Sequence, residues 1–133
     1  MKHHLFILLF LSMGTYCLGQ TQSDLLLGKW KAYKLEHFNS DRAIDEESTK
    51  HFWQMLEGRT LEFKTNGVVE ISGYTNCSWY IKDGYLHIRY GKEGQWDKEK
   101  IMKLDETTLL LNDEVDFPEK GNSQLIEYNR VTE

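Results

Sequence analysis

Cys77-Ser78-Trp79-Tyr80-Ile81-Lys82-Asp83-Gly84-Tyr85-Leu86-His87-Ile88-Arg89-Tyr90 decides the fold of this chain. Its first half alternates, with Cys77, Trp79 and Ile81 on one face and Ser78, Tyr80 and Lys82 on the other. The second half repeats the pattern, with Leu86, Ile88 and Tyr90 together. A period of two marks a half-buried strand, because successive side chains point to opposite faces. Between the halves, Asp83-Gly84 offers the positive φ angles that a two-residue hairpin turn needs. The stretch is a β-hairpin.

The same grammar extends both ways. Upstream, Arg59 to Lys64 sets Leu61 and Phe63 against Thr60, Glu62 and Lys64, Asn66-Gly67 turns, and Val68 to Ser72 follows with Val69 and Ile71 facing in. Gly73 to Asn76 reads as the next turn, and Gly28 to Phe38 as the first strand. Downstream, Gly91 to Gln95 is a loop. Trp96 to Leu104 is a longer strand, bulged because Ile101 and Leu104 break strict alternation. Asp105 to Thr107 turns into the strand Thr108 to Asn112. Asp113 to Ser123 is a loop holding Pro118, and Gln124 to Val131 is the last strand, with Ile126, Tyr128 and Arg130 sharing a face.

One segment differs. Asp45 to Leu56 begins acidic, carries Phe52, Met55 and Leu56 at helical spacing, and stops before Gly58, which makes a short helix. The second, fourth and sixth connections are tight, and the odd-numbered ones are longer. In a simple meander that gathers short turns at one end and loops at the other. The expected fold is an all-β, eight-stranded antiparallel up-and-down barrel with one short helix between strands one and two, closed at its floor and open at a loop-bearing mouth.

Ahead of the barrel, Leu5 to Leu11 is an unbroken apolar run behind a weakly basic start, and Cys17-Leu18-Gly19 offers small residues at the cleavage positions. Residues 1–19 read as a signal peptide, too short to span a membrane as a mature helix, and residues 20–133 as one domain. Cleavage after Gly19 is favoured over lipid anchoring through Cys17, because Tyr16 stands where a small residue belongs. The expected location is therefore outside the cytoplasm, periplasmic or secreted. Without the leader, 15 basic residues face 21 acidic ones, with no Lys/Arg stripe to track phosphates, so nucleic acid is not an expected partner. Cys77 then has no partner within the chain, and its place beside Trp79 and Ile81 makes it a buried thiol.

Several pieces carry a resemblance. Gly28-Lys29-Trp30 opens the first strand, Leu61 to Gly67 forms strand and hairpin, and Trp79 to Leu86 crosses the second hairpin. Ile101-Met102-Lys103-Leu104-Asp105 leads into Thr108-Leu109-Leu110-Leu111, and Tyr128-Asn129-Arg130 stands near the end. In this order the chain resembles the lipocalin-like domains of small exported bacterial proteins over nearly all of residues 20–133. The resemblance implies a floor made by Gly28, Trp30 and Arg130, with Arg130 as a cationic cover on the Trp30 ring. The middle Thr-Asp-x-x-Tyr-type motif of that family is absent and the chain is short, which argues against a large ligand cavity.

Catalytic chemistry is not evident. His37, His51 and His87 lie on separate elements and read as lone surface residues, with no metal-ligand spacing. Asp113, Glu114, Asp116 and Glu119 lack the alternation of a calcium loop and read as solvated charge. No Ser or Cys has a plausible base, and no cofactor is called for. The aromatic residues remain. Trp53, Tyr74, Trp79, Tyr90, Trp96 and Phe117, with Ile88, are the candidates for lining the mouth or upper wall. An eight-stranded barrel holds packed side chains or one small ligand. The expected function is non-catalytic binding of a small apolar or amphipathic molecule, with the helix as a lid. The alternative is a solid barrel that presents Tyr80 and Tyr85 to Arg89 to a protein or envelope partner, its helix fixed between strands.

Overall fold

Each strand pairs antiparallel with its neighbour in sequence, and the last returns to the first. The computed structural model describes residues 22–115 and 121–132. Its strands are β1 (Gly28–Phe38), β2 (Thr60–Phe63), β3 (Val68–Ile71), β4 (Tyr74–Lys82), β5 (Tyr85–Tyr90), β6 (Trp96–Leu104), β7 (Thr108–Val115) and β8 (Asn122–Arg130). They close a barrel in the order β1 to β8, with α1 (Glu46–Leu56) between β1 and β2. Residues 22–26 form a short helical turn ahead of β1. Closure removes the open sheet edges that an eight-stranded meander would otherwise expose.

The alternation sets the core. Trp30, Leu61, Phe63, Val69, Trp79, Leu86, Leu109, Leu111 and Tyr128 are buried together, and Cys77 is a buried free thiol among them. Phe63 meets the Trp79 ring edge-on at 5.3 Å, and the Trp79 indole donates to the Lys64 carbonyl at 3.1 Å. The lower barrel is therefore filled by side chains.

The floor is one connected unit. Trp30 is fully buried, its indole donating to the Leu26 carbonyl at 2.8 Å. Arg130, its register partner on β8, sets its guanidinium carbon 4.3 Å from the Trp30 ring centroid. That guanidinium also donates to the carbonyls of Leu25, Leu27 and Glu106, tying three segments across the closed end. Gly28 has φ +114°, and a Cβ there would stand 2.8 Å from the Arg130 Nη1. Only glycine meets both conditions without rearrangement.

Three boundaries differ from the sequence expectation. Ile71 pairs with Tyr74 across Ser72 (φ 49°) and Gly73 (φ 84°), so this connection is a two-residue turn and β4 begins before Cys77. Tyr74-Thr75-Asn76 is polar, which disguised it as loop. β7 runs to Val115 and β8 starts at Asn122, so the last loop is shorter than Asp113 to Ser123. The bulge expected in β6 is present, as the register against β7 shifts between Ile101 and Lys103.

β1 pairs with β2 only over Gly28 to Lys31 but with β8 from Trp30 to Phe38. The helical segment satisfies the edge left open. Ala32 N–H donates to the Arg59 carbonyl at 2.9 Å, His37 N–H to Thr49 Oγ1 at 2.9 Å, and Asp45 N–H to the His37 carbonyl at 2.9 Å. Asp45 caps the helix, accepting from Ser48 N–H at 3.0 Å. The buried side of α1 is Phe52, Trp53 and Leu56, whereas Met55 is 74% exposed and leaves the expected stripe. The segment expected as a lid is thus tied into the wall, in the gap above the short β1–β2 pairing.

Candidate functional site

Above the apolar core the inward positions turn polar. On β6, Leu86 pairs with Glu99 and Ile88 with Asp97, which sets both carboxylates on the inner side. On β7 and β8, Asp113 pairs with Gln124, and Gln124 pairs with His37 of β1. Tyr90 ends β5 and pairs with Cys77. Tyr128 is buried beneath, with burial raising its phenol pKa well above the usual value.

Arg59 completes this belt. Its N–H donates to the Leu56 carbonyl at the end of α1, and its carbonyl accepts from Ala32, both at 2.9 Å. The backbone is clamped between helix and strand. The guanidinium Nη2 donates to Tyr90 Oη at 2.6 Å, and its buried Nε has no hydrogen-bond partner among the described residues. No ion pair joins it to a carboxylate among the described residues. Burial works against its charge, but Tyr128, Tyr90 and Glu99 outweigh this and hold it protonated.

The carboxylates respond in the opposite sense. Burial pushes the Glu99 carboxyl up to about 7; Asp113 and Asp97 push the same way, and Arg59 pulls it back. Burial also raises Asp113, reinforced by Asp97 and opposed by Arg59. Tyr90 is raised by burial against the pull of Arg59. Arg59 is thus the cation that opposes the raised carboxyl pKa of both Glu99 and Asp113.

The expected site residues scatter around this belt. Tyr90 stands in it, 42% exposed at the mouth. Ile88 and Trp79 face inward, Trp79 low in the filled core. Trp53 lies on α1 beside Tyr33, Leu35 and Ile44, around a crevice of about 360 Å³ between helix and β1. Tyr74 is exposed where β4 begins. Trp96 is not a lining residue: it pairs with outward-facing Arg89, whose guanidinium covers it at 4.9 Å, and it meets Tyr80 edge-on at 4.8 Å outside the wall. Tyr80 in turn stacks on His87 at 4.3 Å. Phe117, Asp116 and Glu119, like residues 1–19, lie outside the described residues.

His37 corrects a further expectation. It is 2% exposed, stacked on Phe52 with centroids 5.1 Å apart, and its Nδ1 has no hydrogen-bond partner among the described residues. Counting by two from Leu35 would have set it inside. Counting back from Ile101 would likewise have found Glu99 and Asp97. Among the described residues no three of His, Cys, Asp and Glu converge to hold a metal ion, and no helix is long and apolar enough to cross a membrane. Comparison with protein-family models, curated proteins and solved structures finds no match to this chain.

Proposed function

We propose that this is an exported, non-catalytic binding protein that holds a small amphipathic molecule in the mouth of its barrel. The observation that carries the reading is the vertical division of the interior. The polar belt of Arg59, Tyr90, Asp97, Glu99 and Asp113 stands over a filled apolar core. Buried polar groups normally find partners, and here His37 Nδ1 and Arg59 Nε have none among the described residues. A molecule entering the mouth would supply them while resting its apolar part on Ile88 and the Tyr90 ring. The apolar leader and the likeness to lipocalin-like domains support export and the binding role. The filled lower barrel limits the ligand to a small one. Native mass spectrometry of the protein purified from its source tests the reading. A reproducible small-molecule adduct, lost in an Arg59→Ala variant, is expected; bare protein mass from every preparation would overturn it.

A second reading rests on the outer wall. Tyr80, His87, Trp96 and Arg89 form a continuous aromatic and cationic ladder, continued by Lys98 over Tyr85 at 4.1 Å. This favours a solid barrel that offers β4 to β6 to another protein or to the cell envelope. Loss of partner capture on Trp96→Ala with Arg59→Ala silent would select it.

A further inference from the structure

We propose that the outer wall of β5 to β7 binds an acidic sugar chain, with a uronate unit in the groove lined by Tyr85, Lys98, Lys100, Asn112 and Glu114. The inference rests on the second reading above, in which the outer wall is the working surface, and it is independent of the mouth. The strand register sets three rows on this wall. Lys82, Tyr85 and Lys100 form the first, Tyr80, His87 and Lys98 the second, and Ser78, Arg89 and Trp96 the third. None of the nine is acidic, although the whole chain has a net charge of -5. Lys82, Arg89, Lys98 and Lys100 make no ion pair among the described residues, and Lys98 and Arg89 rest instead over the Tyr85 and Trp96 rings. Cations grouped in this way draw an anion to the surface.

The first row continues onto β7, where Lys100 pairs with Asn112, and the groove there has a volume of about 320 Å³. That is at the small end of ligand sites, about 300–1,000 Å³. Asn112 lines the groove, and its buried Oδ1 has no hydrogen-bond partner among the described residues. Glu114, the one acid in the lining, is a second acceptor. Acceptors call for donors, and the anionic groups of a phosphate chain or an acidic peptide carry none. A uronate brings both kinds of group. Its carboxylate meets the Lys98 and Lys100 ammonium groups, and its hydroxyls donate to Asn112 and Glu114. The apolar C–H face of a neighbouring sugar ring then packs on Tyr80 and Trp96, which are 40% and 39% exposed. Three strands by three rows cover about 10 Å by 14 Å. A stable protein interface buries about 800 Å² on each partner, far more than this strip offers, whereas a narrow extended chain fits it.

Titration of the purified protein at low salt, followed through the Trp96 indole N–H and the Asn112 side-chain amide resonances, tests this. The probes are tetragalacturonate, tetramannuronate, a hyaluronan tetrasaccharide, the methyl ester of tetragalacturonate, tetraglutamate and tetrathymidylate. At least one acidic sugar is expected to bind tenfold or more tightly than the ester, tetraglutamate and tetrathymidylate. Lys98→Gln with Lys100→Gln should abolish that preference while the Trp30 indole resonance stays in place, which shows that the barrel remains folded. Asn112→Ala should weaken the acidic sugar severalfold and leave tetraglutamate unchanged. Equal binding of tetraglutamate or tetrathymidylate would overturn the sugar and leave the outer wall as a surface for anions at large. An ester that binds as tightly as the acid would overturn the acidic partner. No shift at Trp96 or Asn112 with any probe at millimolar concentration would overturn the proposal, while the outer-wall reading stands or falls separately on partner capture by Trp96→Ala. Shifts confined to Gln124 in the mouth would overturn both.

Discussion

Arg130 and Trp30 are joined twice, as register partners of β8 and β1 and as a guanidinium 4.3 Å from an indole centroid. The pair lies where the two ends of the barrel sheet meet, and the same guanidinium reaches the carbonyls of Leu25, Leu27 and Glu106. Trp30→Ala should cost about 3–5 kcal/mol, as large aromatic truncations in cores do. Arg130→Lys keeps the charge but cannot reach three carbonyls and should cost about 1–3 kcal/mol. Urea denaturation measures both, and an Arg130→Lys variant as stable as the parent would show that the fork is not needed.

Gly28→Ala should be more damaging than an exposed glycine replacement. It adds a Cβ 2.8 Å from Arg130 Nη1 at φ +114°. The expected cost is about 1–3 kcal/mol, the range for backbone forced into a sparsely populated region. A concurrent change in the Arg130 Nε–H resonance would locate the damage at the floor.

Glu99 should make the protein less stable as pH rises. Its folded pKa, near 7, is above the ordinary 4.5. Between these values the folded state binds more protons than the unfolded one, so stability falls as pH climbs through that window. Above it the full penalty applies, on the order of 3 kcal/mol at most. Glu99→Gln should therefore raise the melting temperature at pH 8 and leave it almost unchanged at pH 4. Equal shifts at both values would refute the titration as the cause.

Helix α1 should exchange its amide hydrogens as slowly as the edge of β1 that it covers. Thr49 Oγ1 accepts from His37 N–H, and Asp45 N–H from the His37 carbonyl. Thr49→Val strands a buried donor and should cost about 1–3 kcal/mol. Asp45→Ala removes the cap and should cost about 1 kcal/mol. Rapid exchange at Asp45 and Thr49 beside protected strands would restore the lid.

The architecture was legible because Leu61, Phe63, Trp79, Ile81, Leu86 and Ile88 alternate without interruption and Asp83-Gly84 fixes a turn. The belt was harder to see, for physical reasons. On β6 the inward side carries Asp97 and Glu99, so polarity ceases to mark the outside, and the bulge at Ile101 to Lys103 breaks the count from the apolar end. On β1, Leu35 and His37 keep the alternation beyond the register shift between Ala32 and Lys34, but a histidine at an inward position carries no apolar mark of burial. Arg59 sits outside β2, held by a helix end and a neighbouring strand, which no local pattern reports. Trp96 looked like lining because it is aromatic, but its pairing with Arg89 turns it outward.

The seam between β1 and β8 also has a bearing on when the protein can fold. Trp30 and Arg130 stand at opposite ends of the domain in sequence, and the strands that carry them form the longest pairing after β1 leaves β2. Contacts across so large a loop are slow to form, and closing the loop costs entropy before any packing repays it. Without β8 the barrel cannot close, so the contact between Trp30 and Arg130 forms only once the strand carrying Arg130 is in place.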